Sequence, residues 1–543
     1  MREPPFHRVQ SQAAVPDRGV PSCGLIPTPV GRRSQAVVSR ALDVLEAAHT
    51  PPRAISTTFW VVVSLVLCIG LRLLTLGSYP LSDNTEARYA EIARIMMSGG
   101  DWINLHLPGD VVFWGKPPLS TWFSALGQLA LGANEWGARL PMLVLAMMVT
   151  LIVWRWLRDS SSREAILGVA VLWGSAVFFV SAGAVMTDMA LTFAVTLSIG
   201  GFWWAISGTT LTRVRLGALG LFVGLALGLL AKGPVALVLS LFPVGVHALS
   251  CRGAFRDVRS LPWIKGGLLF LGIAGPWYAL AELRSPGFLE YFLVGEHWSR
   301  FTQPGWTGDL YGTAHEQARG IVWAYLAVGF LPWSLLLPWL LIGRRRPARR
   351  VAADTRSERS PDTALLVAWA LTPALLFSAS RNILWTYVLP AAPALAILAG
   401  RWLARDPRQR VVHGLVATGL VVLTGAVAAL LSSQGSMGAI RSASGVLLPL
   451  LSGGHKASEV TFLNALPYSA SFYTGGKAHD VIKDEELDLW LRRDPKLGPL
   501  HEHEFLVTTE KSWRSLSEGR RSQLHVLFDA DGYVLLVRAG PAG

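Results

Sequence analysis

The chain has 543 residues, 51% of them hydrophobic and 16% charged, and a formal net charge of +13. Soluble proteins carry about 25% charged residues, so this composition excludes an ordinary soluble domain and points to a lipid bilayer as solvent. The basic residues sit in short runs between apolar segments, without an RNP, zinc-finger or Gly-rich phosphate motif, so nucleic acid is excluded as an expected partner.

Residues 1–55 are rich in Arg, Pro and Ser and carry no short apolar core of a signal peptide, so they read as a disordered cytosolic tail. Apolar runs follow at 57–76, 138–157, 164–184, 187–206, 214–231, 234–250, 262–281, 318–342, 363–379, 384–400 and 411–432. About 20 apolar residues cross a bilayer as helix, which makes roughly eleven spans. Every even-numbered exit is basic: Arg155, Arg158 and Arg163; Arg213 and Arg215; Arg252, Arg256 and Arg259; Arg344 to Arg350; then Arg401, Arg405, Arg408 and Arg410. By the positive-inside rule these loops are cytosolic, and the odd-numbered exits face outward.

The outward side then carries two long loops, 77–137 and 282–317, and the region after about 435. In the first loop Glu86–Met97 has helical spacing, and Leu119–Leu131 is an apolar helix too short to span, expected to lie along the interface. Residues 440–452 are weakly apolar and could add a span or hairpin. Beyond them Glu459–Leu463, Gln523–Phe528 and Tyr533–Val537 read as strands around an Asp531-Gly532 turn, with a charged helix near 484–493. The predicted division is a tail (1–55), a transmembrane domain (56–435) and a C-terminal outward-facing α/β domain (436–543).

Charges at membrane depth mark a pathway or site by default. Here they share the outward face: Asp83, Glu86, Arg88, Tyr89 and Glu91 after the first span, Lys116 in the rigid string Phe113-Trp114-Gly115-Lys116-Pro117-Pro118, Asp188, Lys232 and Arg381 at span ends, and Glu296-His297, Arg300, Asp309 and Tyr311 in the second loop. For the acidic cluster alone the plainer reading is a helix N-terminus stabilised by carboxylates, and for each isolated cation a charge snorkelling to the headgroups. Their convergence on one face favours a site for an anionic, phosphate-bearing ligand, with cations to neutralise phosphate and a carboxylate as base.

The strings Asp83-Asn84-Thr85-Glu86-Ala87-Arg88-Tyr89-Ala90-Glu91, Gly100-Asp101-Trp102 and Trp114-Gly115-Lys116-Pro117-Pro118-Leu119 resemble the first-loop signature of polyprenyl-phosphate-dependent glycosyltransferases. They are most similar to the lipid A aminoarabinose transferases within the protein-mannosyltransferase-like clan. The resemblance continues through Thr187-Asp188, Lys232-Gly233-Pro234, Glu296-His297-Trp298-Ser299-Arg300-Phe301, Trp385-Thr386-Tyr387-Val388-Leu389-Pro390 and Phe462 to Tyr473. It implies an α-helical polytopic membrane protein of the GT-C fold, with about 11–13 transmembrane helices and the small C-terminal α/β domain. It also implies a multi-pass glycosyltransferase of a bacterial inner membrane, with its active site facing the periplasm. The partners would be a polyprenyl-phosphate-linked sugar, a glycolipid or glycan acceptor such as lipid A or lipopolysaccharide core, and the lipid bilayer. Carried onto this sequence, the catalytic carboxylates would be Asp83 and Glu86. The donor phosphate would be held by Lys116 and Lys232, with Arg381, and the substrate site would add Arg88, Tyr89, Asp188, Arg300 and Tyr387. No cofactor is certain; a divalent metal at His297 is the one the resemblance raises, and Gly115 stands where relatives carry a second ligand, a glutamate. The competing readings are a transporter of a lipid or anionic substrate and a non-catalytic membrane scaffold; charges gathered at one face, and two dissimilar halves, argue against a transporter.

Overall fold

The computed structural model describes residues 57–539 apart from 84, 251–252, 304–305, 307, 309, 312–316, 337–361 and 433–440. The expected tail, Arg252, Asp309, the 344–350 arginine run and the end of the 318–342 span lie outside the described residues.

The helices in chain order are α1 (Thr57–Leu74), α2 (Glu86–Gly99), α3 (Leu119–Leu131), α4 (Glu135–Arg158), α5 (Ser162–Trp173), α6 (Ala176–Ser181), α7 (Thr187–Ser207), α8 (Leu211–Lys232), α9 (Val235–Ser250), α10 (Trp263–Arg284), α11 (Ile321–Gly329), α12 (Thr363–Phe377), α13 (Ala392–Ala404) and α14 (Gln409–Ser432). Seven described segments are long and apolar enough to cross a membrane, at Thr57–Gly77, Glu135–Arg158, Thr187–Ser207, Leu211–Lys232, Trp263–Arg284, Trp385–Ala404 and Gln409–Val427, and α9 and α12 are shorter apolar helices. The chain is a multi-pass membrane protein. α7 is the innermost helix, whereas α1 and α10 keep most of their surface outside the protein.

One expected span is broken. Residues 164–184 divide into α5 and α6 at Gly174-Ser175, where a Cβ on Gly174 would come within 2.4 Å of the Trp333 ring. The indole Nε1–H of Trp333 donates to the Val171 carbonyl at 2.8 Å, so the break is a seat for that ring.

In the first loop α2 carries Ala87, Ala90, Ile92, Ala93 and Met96 into the core. A small antiparallel pair, β1 (His106–Leu107) with β2 (Val111–Val112), leads on to α3. α3 has the bounds expected of it and an inverted pattern: Ser120, Thr121, Ser124 and Gln128 are buried while Leu126, Leu129 and Leu131 are exposed. A helix that turns its leucines outward is built for contact with hydrocarbon.

The C-terminal region is a five-stranded mixed sheet of β3 (Val460–Leu463), β4 (Val481–Ile482), β5 (Phe505–Thr509), β6 (Leu524–Ala530) and β7 (Tyr533–Arg538), in the order β4-β3-β5-β7-β6. β3 pairs parallel with β4 and β5; β7 pairs antiparallel with β5 and β6. The apolar stretch near 440–452 is not a span. It forms a nine-residue helix, α15 (Ser444–Ser452), whose Val446, Leu447 and Leu450 pack with Val460, Phe462, Val507 and Leu535 in this domain's own core.

Candidate active site

The packing of α7 on α8 builds the centre of the site. A Cβ on Gly201 would meet Leu221 N at 2.4 Å, and one on Gly217 would meet Ala205 N at 2.4 Å, so the two backbones touch along an antiparallel glycine seam. The start of α7 therefore meets the end of α8. Asp188 sits in the first turn of α7 and Lys232 ends α8, each at the helix terminus whose dipole favours its charge. The two form a buried ion pair at 2.5 Å. Thr386 donates to the second Asp188 oxygen at 3.2 Å, and Lys232 Nζ lies 4.0 Å from the centroid of the Tyr387 ring.

A second charged group faces it from the two outward loops. Lys116 Nζ is 3.0 Å from Glu296, and Arg300, one turn along, donates to both Glu296 oxygens at 3.0 and 3.1 Å. Burial opposes the charge on Lys116, but Glu296 outweighs it and raises the ammonium pKa. Burial likewise opposes ionisation of Glu296, yet Lys116 and Arg300 hold its carboxyl below the ordinary glutamate range. Both shifts favour the charged pair. Arg88 lies over the rings of Tyr89 and Phe113, 5.3 and 5.8 Å from their centroids, and its buried Nε has no hydrogen-bond partner within the protein.

Between these groups lies a cavity of about 320 Å³ lined by Thr85, Arg88, Tyr89, Lys116, Asp188, Lys232, Glu296, Arg300, Tyr311, Tyr387 and Tyr468, among others. Among the described residues four cations face two carboxylates, a net of +2. An adjoining groove of about 490 Å³ shares Lys116, Lys232, Glu296, Arg300 and Tyr387 with the cavity and is otherwise mainly apolar, with Val235, Val238, Leu293, Phe301, Leu376 and Phe377 on its walls. The cations thus stand where a polar chamber opens into an apolar channel.

Of the residues singled out in the sequence, Arg88, Tyr89, Lys116, Asp188, Lys232, Arg300 and Tyr387 meet at this cavity; Asp83, Glu86, Arg381 and His297 do not line it. Glu86 is gripped from behind by Arg139, which donates to both carboxylate oxygens at 2.7 Å and to the carbonyls of Leu76, Tyr79 and Pro80 at 2.6, 2.7 and 3.0 Å. Burial works against ionised Glu86, but Arg139 keeps its pKa low. Asp83 accepts from the Ser469 amide at 2.8 Å and the Ser469 hydroxyl at 2.5 Å, and burial pushes its pKa up. Arg381 contributes its carbonyl to the Gln317 amide at 2.8 Å, and its neighbour Asn382 donates to the Arg300 carbonyl at 2.8 Å, which steadies the backbone of Arg300.

His297 lines only the apolar groove. Its ring nitrogens lie against the carbonyls of Phe292 and Lys232 at 2.8 and 3.1 Å, and a Cβ on Gly233 would strike the ring at 2.8 Å. A Glu at 115 would have to displace Phe113, whose ring lies 2.8 Å from the Cβ position of Gly115. Among the described residues no three His, Cys, Asp or Glu side chains are grouped to hold a metal. These residues do not fit a metal centre at His297.

The sequence reading named Glu296 and Tyr311 on the outward face without giving them a role, carried Thr85 and Tyr468 only inside motif strings, and missed Arg139. Arg139 had a signal, since it is a lone arginine at the outward end of an apolar run. The C-terminal domain had none: it docks through a short helix, α16 (Tyr468–Tyr473), whose Ser469, Ser471 and Tyr473 hydroxyls donate to Asp83, Glu91 and Glu135, at 2.5, 2.6 and 2.6 Å. That docking delivers Tyr468 to the cavity wall.

Comparison with known proteins follows the same lines. Residues 55–292 match the family described as dolichyl-phosphate-mannose-protein mannosyltransferase. The undecaprenyl phosphate-alpha-4-amino-4-deoxy-L-arabinose arabinosyl transferase of Pseudomonas paraeruginosa (strain DSM 24068 / PA7) is 30% identical over 372 residues, covering 67% of this chain and 64% of the relative. The enzyme of the same name from Pectobacterium carotovorum subsp. carotovorum (strain PC1) is 32% identical over 353 residues, covering 63% and 58%. The chain thus spans less than two thirds of the length of these curated relatives. ArnT from Cupriavidus metallidurans, in a crystal structure bound to undecaprenyl phosphate, superposes with a TM-score of 0.68 at 21% identity, over 89% of this chain and 99% of that one. The chain is ArnT-like and has the GT-C fold, and over residues 55–292 it is similar to the protein mannosyltransferases.

Proposed function

We propose that the protein is a membrane glycosyltransferase that moves a sugar from a polyprenyl-phosphate donor to an envelope acceptor, at the periplasmic face of a bacterial inner membrane. The observation that carries this reading is the junction of cavity and groove: Lys116, Lys232 and Arg300 stand at the mouth of an apolar channel and on the wall of a polar chamber. A prenyl tail fits the channel, its phosphate the cationic junction, and the sugar the chamber. The relatives named for undecaprenyl phosphate and the solved ArnT bound to it support the same donor class. The arginine-rich loops at the opposite ends of the spans support the outward orientation.

In this reading the cations neutralise the polyprenyl phosphate as charge develops on the leaving oxygen. Each is already paired with a carboxylate, so donor binding exchanges partners and leaves no cation buried alone. When Lys232 turns to the phosphate, Asp188 is released from its ion pair. It then becomes the cavity carboxylate available to orient an acceptor or take its proton. Asp83 and Glu86, expected as the catalytic pair, are committed to Ser469 and Arg139. In the mechanism proposed here they hold the walls of the site.

The test is binding of undecaprenyl phosphate to the purified full chain, with transfer of radiolabelled sugar from the corresponding donors to envelope glycolipids. Lys116→Ala and Lys232→Ala should each weaken undecaprenyl phosphate binding about ten- to hundredfold, as expected for loss of a hydrogen bond to a charged group worth about 1.5–3 kcal/mol. Unchanged binding in both would overturn the donor assignment.

A further inference from the structure

A third space adjoins the cavity. It measures about 990 Å³ and lies between the first outward loop and the C-terminal domain. Tyr311 and Tyr468 line both spaces, so the two adjoin across those rings. Tyr311 is held in place from both sides, its hydroxyl donating to Val112 O at 2.8 Å and accepting from Trp114 N at 3.0 Å.

The charge of this cleft is opposite to that of the cavity. Among the described residues its charged walls are Asp83, Glu91 and Asp110 against the guanidinium of Arg94, a net of −2 with His479 neutral. Arg94 is itself committed, donating to both Glu91 oxygens at 2.7 Å. Even with Asp83 protonated the lining stays net negative. The cavity lining, by contrast, is net +2. A phosphate group is therefore drawn to the donor side and repelled on the other. Carbohydrate asks for something different: hydroxyl donors and acceptors, which the exposed Asp110 carboxylate and Asn464 side chain can meet, with the Tyr468 ring as an apolar face.

We propose that this cleft is where the acceptor approaches, and that it takes an uncharged glycan presenting a hydroxyl, not a phosphate. The proposal rests on the glycosyltransferase reading and narrows it. The acceptor oxygen bonds to the anomeric carbon of the donor sugar. The bond from that carbon to the phosphate oxygen breaks, its electron pair stays with the polyprenyl phosphate, and the hydroxyl proton passes to the Asp188 carboxylate. A phosphate acceptor would need no such base; a hydroxyl does.

The experiment uses the full chain in lipid nanodiscs, with undecaprenyl phosphate carrying radiolabelled mannose, glucose or 4-amino-4-deoxyarabinose. The acceptor is lipopolysaccharide, intact or stripped of phosphate with hydrofluoric acid. The stripped acceptor should be labelled to within about twofold of the intact one; a fall of tenfold or more would overturn the acceptor class. Ala465→Trp places a bulky ring in the cleft at an exposed loop position away from the cations. It should cut transfer at least tenfold while undecaprenyl phosphate binding stays unchanged, and undiminished transfer would overturn the route. If the wild type fails to bind undecaprenyl phosphate, the transferase reading falls and this assignment with it. Retained binding with phosphate-dependent labelling removes the acceptor assignment alone.

Discussion

Arg139→Met tests whether Glu86 is part of the chemistry or of the frame. The wild-type guanidinium is buried and donates to Glu86 twice and to three backbone carbonyls of the turn after α1. Counting those five bonds separately would overshoot, because water re-solvates part of what is exposed. The better scale is that of a broken buried pair, about 3–5 kcal/mol, since Glu86 is left charged and buried with no counterion. Glu86→Gln should cost less, because a neutral amide keeps an acceptor for the arginine and the lone cation retains its three carbonyls. In the double variant the orphaned carboxylate is gone, so its loss should be smaller than the two single losses added together. The assay is unfolding of the full chain in mixed detergent micelles, read alongside undecaprenyl phosphate binding and sugar transfer. Arg139→Met stable to within about 1 kcal/mol of wild type would refute the reasoning on stability. Glu86→Gln that folds and binds donor normally yet transfers no sugar would return Glu86 to the catalytic role read from the sequence.

Asp188→Asn should lower transfer about 10²–10⁴-fold, the range for loss of a general base, while undecaprenyl phosphate binding holds or tightens; normal turnover would remove Asp188 from the mechanism. Asp83→Ala should loosen the C-terminal domain, seen as faster release of that domain by limited proteolysis, whereas Asp83→Asn keeps an acceptor for the Ser469 amide and should be milder. Because burial raises the Asp83 pKa, the folded chain holds that proton more tightly than the unfolded one. The associated stability is present at low pH and lost as pH rises through the folded-state value. Thermal stability measured from acid to neutral pH should therefore fall more for wild type than for Asp83→Asn; identical slopes would contradict the burial. Dialysis against EDTA should leave transfer unchanged, since the His297 ring is occupied by two carbonyls; activity lost and restored by a divalent ion would reverse that conclusion.

The membrane class was legible because hydrocarbon imposes a long-range rule on sequence: apolar runs must be long, and arginines mark one side. Lys116, Asp188 and Lys232 were legible for the same reason, as charges where charge is expensive. What one sequence could not say is where a carboxylate points. Asp83, Glu86 and Glu91 lie on neighbouring turns, yet Asp83 and Glu91 turn to serines of a domain nearly 400 residues away and Glu86 turns to Arg139. Glu296 was placed on the outward face but given no role, because its neighbour His297 drew attention as a ligand, while the pairing that matters reaches across 180 residues to Lys116. The helix near 440–452 misled by composition alone: five Val and Leu side chains on a nine-residue helix serve equally to enter a bilayer or to floor a small sheet, and β3, β5 and β7 supplied the sheet.

The Lys116–Glu296–Arg300 cluster has a consequence for turnover. On the proposed reaction the spent carrier leaves as a phosphomonoester, with more negative charge than the diester that arrived, and a fixed pair of cations would hold the product more tightly than the substrate. Glu296 is a tethered anion always within reach of the same two cations, at an effective concentration no soluble competitor matches. It acts as an internal eluent. Its strength as a rival to the phosphate sets how long the carrier stays, so Glu296→Gln should slow product release even as it tightens the grip on the donor.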